Sequence, residues 1–293
     1  MAFPEERRGR RVASLGGVSI VDEIGRDRRR RDGVNTGTAR RTARVFGADG
    51  RSLVVAFDHG IGGANHGGMA VPGRTLDELI GAGADAVLAT VGLAHQFQEK
   101  LARVGLVINL DLCTGHEEVA VREATLLGAD MGKFIFTPWS KDVPDSLART
   151  AHVVAVAHDY GFPLMIEPIP VSFEQTDAHT AENIGQAAKM ACEVGADVVK
   201  MQYTGDPASF QQIMSTLYRP VVILGGPSRN DDRGLLQMVR DTLDAGAVGI
   251  TIGRNIWGHE RPGHMVGAMA ALIHEDASVD VAMRQLEPAF AVA

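Results

Sequence analysis

The sequence has little from which to build a disulfide framework: its cysteines are Cys113 and Cys192, and neither stands in a CxxC pair. A reduced, cytoplasmic setting is therefore expected. No run of about 18 apolar residues occurs, which excludes a helical membrane span. Aromatic residues are scarce, at 5%, and the two tryptophans, Trp139 and Trp257, read as packing groups rather than stacking platforms. Positive charge is short as well. The formal net charge is -7, which speaks against nucleic acid as a partner. The first 45 residues are rich in arginine, with Arg28, Arg29, Arg30 and Arg31 consecutive, yet Glu5, Glu6, Asp22, Glu23, Asp27 and Asp32 interrupt them. Residues 1 to 45 are expected to form an N-terminal extension, partly disordered or docking in an oligomer, rather than a basic arm or a targeting segment.

What the chain does have is apolar material for a large core, 45% of residues against 22% charged. From residue 52 onward, short runs rich in Val, Ile and Leu alternate with longer amphipathic stretches. The runs are 52 to 58, 84 to 90, 105 to 111, 131 to 137, 163 to 169, 196 to 203, 220 to 225 and 247 to 254. Eight strands that alternate with helices, each run apolar on both faces, predict a single (β/α)8 barrel, the TIM-barrel architecture. Its body is expected over 46–275, with 276–293 as a C-terminal tail.

Three strands follow a Gly-Ala-Asp triplet, at Gly83, Gly128 and Gly195, and a fourth follows Ala245-Gly246-Ala247. The glycine suits the left-handed position just past a helix end. In such a barrel the chemistry lies at the C-terminal ends of the strands. The polar residues there are Asp58 and His59, Thr90, Asp111, Lys133, Glu167, Lys200 and Tyr203, then Gly225-Gly226 and Gly253-Arg254.

Lys200 closes an apolar run, so alternation puts it among inward-facing neighbours. Burial favours the neutral amine that attacks a ketone or aldehyde, although a buried lysine can also serve only as an ion-pair partner. Asp58 could hold the lysine's charge or move a proton, and Lys133 and Tyr203 complete the candidate catalytic set. His59 could contact substrate or bond a backbone carbonyl. Glu167, flanked by Ile166, Pro168 and Ile169, is expected to titrate above its usual value of about 4.3 and to act as an acid. The alternative is an ion-pair partner for Lys133 or Lys200. Gly225, Gly226, Gly253 and Arg254 end the last two strands, where barrels commonly bind phosphate through backbone N–H groups, and Arg254 can add a forked contact. Asp111, Cys113, His116, His59 and His66 could meet near the mouth, but they match no recognised metal arrangement, and neither a metal nor a cofactor is expected.

Three stretches carry a resemblance. Val54 to Gly60 is similar to the first-strand Asp-His-Gly motif of the archaeal-type class I fructose-bisphosphate aldolase family, within the wider group that includes deoxyribose-phosphate aldolase. Lys200 to Asp206 resembles its Schiff-base lysine segment, and Leu224 to Pro227 with Ile252 to Trp257 resembles its phosphate-binding ends. The similarity spans roughly residues 37 to 275. It implies a Schiff base on Lys200 and a ring-like homo-oligomer. One departure stands out. The family's fifth strand ends in Trp-x-Tyr-Pro, whose tyrosine is acid and base; an ungapped alignment from Lys200 puts Glu167 at the tryptophan and Ile169 at the tyrosine. The family also contains thiolase-like relatives that process a phosphorylated autoinducer without that tyrosine, and enzymes that join a phosphorylated ketone to aspartate semialdehyde.

The expected activity is a class I aldolase acting on a phosphorylated ketose or related carbonyl compound. Two alternatives are a thiolase-like acyl transfer to coenzyme A and a non-catalytic barrel that binds a sugar phosphate.

Overall fold

A computed structural model describes residues 36–113, 115–226 and 230–287. The arginine run, Thr114, Pro227 and Ser228 lie outside the described residues. In chain order the elements are α1 (Thr36–Val45), β1 (Ser52–Ala56), α2 (Pro72–Gly81), β2 (Ala86–Ala89), α3 (Val91–Gln96), α4 (Gln98–Leu101), β3 (Gly105–Asn109), α5 (Glu117–Leu126) and β4 (Met131–Phe136). They continue with α6 (Ser146–Asp159), β5 (Leu164–Pro168), α7 (Ala181–Val194), β6 (Val198–Met201), α8 (Pro207–Met214), β7 (Val221–Leu224), α9 (Asp232–Asp244), β8 (Gly249–Ile252), α10 (Arg254–Trp257), α11 (Pro262–His274) and α12 (Val279–Leu286).

The eight strands close into a parallel barrel in sequence order, with β8 returning to β1 through Leu53 opposite Ile250 and Val54 opposite Thr251. Each observed strand lies inside the run expected for it. Alternation divides the side chains into two cores. Val54, Ala56, Ala86, Leu88, Val107, Met131, Met165, Val198 and Val222 fill the barrel, while the other faces of the strands pack against the helices. Val45, the last residue of α1, joins the inner core. Thus 36–45, within the stretch assigned to the extension, is a helix against β3 and β4. Similarly, α12 lies within the stretch assigned to the tail and packs on α11 and α9.

The triplet glycines Gly83, Gly128 and Gly195 all have positive φ, as the turn requires. The aspartate beside each has a role of its own at the N-terminal rim. Asp85 donates its backbone N–H to the Leu53 carbonyl and accepts the Leu53 N–H on its carboxylate at 2.7 Å. Asp130 makes the same two bonds to Leu106, and Asp197 to Leu164. Each carboxylate also meets a side-chain nitrogen from a helix: His274, Arg44 and His158 in turn. Among the described residues no helix is long and apolar enough to cross a membrane.

Candidate active site

Polar residues occupy the inward positions nearest the C-terminal rim of neighbouring strands: Asn109 on β3, Lys133 on β4, Glu167 on β5 and Lys200 on β6. The register that sets Asn109 beside Lys133 brings these groups to one side of the mouth. Lys200 Nζ lies 2.9 Å from Glu167 Oε1, and Lys133 Nζ lies 3.3 Å from Glu167 Oε2. The carboxylate thus bridges two ammonium groups, and it is only 5% exposed. Lys133 also donates to Asp111 Oδ2 and stands 3.9 Å from Asp58 Oδ2. Asn109 fixes the far side: its amide donates to Asp58 Oδ2 at 2.6 Å and its oxygen accepts from the Asp111 N–H at 2.9 Å.

Burial alone would raise Glu167, but the charges of Lys200 and Lys133, with the Lys200 hydrogen bond, overrule it and hold the carboxyl below its ordinary value. This corrects the expectation of an elevated Glu167. Its apolar sequence neighbours lie along its own strand, while what it faces is the pair of ammonium groups on the strands to either side. Asp58 is likewise lowered against the effect of burial, by Lys133 and Lys200. Asp111 is raised, because burial outweighs its Lys133 partner. Lys133 is raised: burial acts against its charge, but Asp111, Glu167 and Asp58 prevail.

His59, next along from Asp58, has Nδ1 3.5 Å from Asp58 Oδ1, and its ring packs edge-on to Trp257 at 5.5 Å. Burial lowers its pKa, and Arg254 and Lys200 add to the effect. Gly253 closes this corner. A Cβ there would lie 2.3 Å from the Ala56 carbonyl oxygen and 2.4 Å from the His59 ring, so only glycine lets the end of β8 pass β1 so closely. The ends of β7 and β8 are joined by Asn255, whose amide donates to the Gly225 carbonyl at 3.1 Å. Gly226 has a φ of 65° and Arg254 is exposed.

The structure therefore brings Lys200, Lys133, Glu167 and Asp58 together, sets His59 beside them and places Gly225, Gly226, Gly253 and Arg254 at adjacent strand ends. It separates Tyr203. An odd number of positions past Lys200, that ring faces outward, packs on Phe210, and donates its hydroxyl to Asp241 of α9 at 3.3 Å. Burial and Asp241 push the phenol up to about 12. The grouping of Tyr203 with the lysine is corrected on these grounds. Trp257 is buried, whereas Trp139 is 47% exposed on backbone of positive φ, which corrects its reading as a packing group. Among the described residues no group of three or more His, Cys, Asp or Glu is placed to hold a metal ion, and Asp111 is engaged by Lys133 and by the Ile135 N–H. Sequence reasoning missed Asn109, although its inward parity at the end of β3 was a usable signal.

Residues 52–259 match the model of the DeoC/LacD family of aldolases. A 2-amino-3,7-dideoxy-D-threo-hept-6-ulosonate synthase of Halobacterium salinarum is 34% identical, the match covering 84% of this chain and 96% of that protein. The crystal structure of an archaeal fructose 1,6-bisphosphate aldolase is similar at a TM-score of 0.72 and 28% identity, over 81% of this chain and 99% of the other. So is an archaeal fructose-1,6-bisphosphate aldolase whose catalytic Lys is covalently bound to the carbinolamine intermediate of its substrate, at a TM-score of 0.70 and 26% identity, over 80% and 99% of the two chains.

Proposed function

The chain belongs to the DeoC/LacD family of aldolases and is a class I enzyme, working through a lysine Schiff base, and we propose that Lys200 is the lysine and a phosphorylated ketone the substrate. The 2.9 Å contact between Lys200 Nζ and Glu167 Oε1, inside the C-terminal rim of a closed barrel, carries this reading. An amine there has a proton acceptor at hydrogen-bond distance and little competing water.

Transfer of the ammonium proton to Glu167 frees the amine, which adds to the carbonyl carbon to form a carbinolamine. Glu167 then gives a proton to the carbinolamine hydroxyl, which leaves as water. The iminium that remains draws electrons from the neighbouring C–H bond, and Glu167, a carboxylate again, takes that proton to give the enamine. The enamine carbon adds to an aldehyde, whose oxygen takes the proton back from Glu167, and hydrolysis of the new iminium releases the product and restores Lys200. The reverse sequence cleaves the same bond. Lys133 holds positive charge against Glu167, Asp58 and Asp111 throughout, so the carboxylates can exchange protons without leaving a bare charge in the barrel.

Gly225, Gly226, Gly253 and Arg254, at two adjacent strand ends, hold the phosphate through backbone N–H groups and a guanidinium. The similarity to a ulosonate synthase supports operation toward carbon–carbon bond formation. The test is borohydride reduction of the protein mixed with dihydroxyacetone phosphate, followed by peptide mass mapping: the reduced adduct should sit on Lys200. An adduct on another lysine, or none, would overturn the assignment.

A further inference from the structure

Asn109 is buried at the inward end of β3 and touches both of the aspartates that flank Lys133. Its orientation follows by elimination. The Asp111 N–H can only donate, so the amide atom 2.9 Å from it is the oxygen, Oδ1. The other atom is the NH2 group, which donates to Asp58 Oδ2 at 2.6 Å. A contact that short, from a buried amide to a carboxylate, is a charge-assisted hydrogen bond. The same carboxylate oxygen stands 3.9 Å from Lys133 Nζ, too far for a hydrogen bond. Lys133 instead donates to Asp111 Oδ2 and lies 3.3 Å from Glu167 Oε2. Asp111 is in turn fixed twice, its N–H by Asn109 and its Oδ1 by the Ile135 N–H at 2.6 Å.

Three carboxylates thus face one ammonium group: Asp58, Asp111 and Glu167. Which of them it serves decides how firmly Glu167 is held. We propose that Asn109 is a positioning residue for the Schiff-base reaction: it ties Asp58 Oδ2 down at a distance from Lys133 and so reserves that ammonium for Glu167, the partner of Lys200. Without Asn109, Asp58 keeps a buried oxygen in need of a donor, and Lys133 stands within reach of it. Closure of that gap draws Lys133 away from Glu167. Of the groups that face Glu167, the lysines on β4 and β6 favour its charged form, Asp58 and Asp111 oppose it, and burial keeps His59 toward its neutral form. Loss of the Lys133 share leaves burial to raise the Glu167 carboxyl. A protonated Glu167 cannot take the proton of Lys200. The inference rests on the assignment, made above, of Lys200 as the Schiff-base lysine and Glu167 as its proton acceptor.

The test is the rate at which the full chain fixes dihydroxyacetone phosphate on Lys200 under cyanoborohydride, taken as the ratio of variant to wild type from about pH 8 to about pH 4.5. The ratio cancels the pH dependence of the reductant. Asn109→Leu keeps the bulk and loses both hydrogen bonds, and its ratio should fall toward acid, by about tenfold for each pH unit by which the Glu167 carboxyl rises. Asn109→Val, a smaller apolar change suited to a strand, should do the same, and whichever of the two folds decides. Asn109→Asp should keep the ratio level, because the new carboxyl can share one proton with Asp58 and donate it to Oδ2 as the amide does. A merely structural Asn109 would lower every ratio by one factor at all pH values. A ratio that does not fall toward acid in the folded apolar variants, or that falls as far in Asn109→Asp, overturns the role of Asn109 and leaves the Schiff-base reading intact. Failure of folded wild type to trap the ketone on Lys200 removes that reading, and this inference with it.

Discussion

Glu167 Oε1 lies 2.9 Å from Lys200 Nζ, with both side chains on the inner face of adjacent strands β5 and β6 and both shielded from solvent. A carboxylate so close to an amine can set the amine's charge, carry its proton, or do both. Substitution separates these roles. Glu167→Gln keeps the shape and removes the proton, so borohydride trapping should slow and turnover should fall by about 10²-fold or more. Turnover near wild type would leave Glu167 as an ion-pair partner only, and lost turnover with trapping at the wild-type rate would confine it to the steps after the iminium.

Lys200→Ala should abolish both trapping and turnover while leaving the circular dichroism of the barrel unchanged. Lys200→Arg should fail equally, because a guanidinium stays protonated and cannot add to a carbonyl. Retention of more than about a tenth of the wild-type rate, a loss under about 1.4 kcal/mol, would reject this lysine.

Acid should unfold the protein partly through Glu167. The folded chain holds this carboxyl below its unfolded value of about 4.3, so its contribution is fully present above that pH and is lost as pH falls through the lower folded value. Asp58 acts in the same sense; Asp111, raised by burial, acts in the opposite one. The difference in urea midpoint between wild type and Glu167→Gln should therefore narrow between pH 6 and about pH 3. A constant difference would mean that Glu167 is not ionised in the folded state.

Arg254→Ala should raise the Michaelis constant for phosphorylated substrates far more than for unphosphorylated analogues, since an exposed guanidinium at the end of β8 has little else to bind. Equal effects on both would take phosphate out of the account.

Gly253→Ala should cost about 1–3 kcal/mol in thermal unfolding, because the added methyl meets the rigid Ala56 carbonyl and the ring of His59. Relief of the clash would have to move His59, so the Michaelis constant should rise as well. An unchanged melting temperature would show that the two strand ends can part more easily than their packing implies.

The eight strands were legible because each apolar run is short, bounded by turn residues and buried on both faces. Lys200 was legible from its inward parity. Glu167 was placed correctly and titrated wrongly, since its neighbours in sequence are apolar while its neighbours in space, Lys133 and Lys200, come from runs about 30 residues away on either side. Tyr203 carried a warning in its odd offset from Lys200, although β6 ends at Met201 and the contacts with Phe210 and Asp241 are what turn the ring away.

The aspartates of the Gly-Ala-Asp triplets clasp β2 to β1, β4 to β3 and β6 to β5, always at the end of the barrel opposite the lysines. The fourth turn has Val248 where an aspartate would stand, so at this end β8 meets β7 through the Val248 N–H and the Val221 carbonyl and the ladder beyond them, without a carboxylate clasp. The barrel thus has three couples with a carboxylate clasp and one without, and the unclasped couple bears Gly225, Gly226, Gly253 and Arg254. Closure is inherited through the floor and reactivity through the rim. New loops can be grafted onto the clasped couples at little cost to the chassis, whereas the same exchange at the unclasped couple would act on the pair with the least support at its floor and on the proposed phosphate end together.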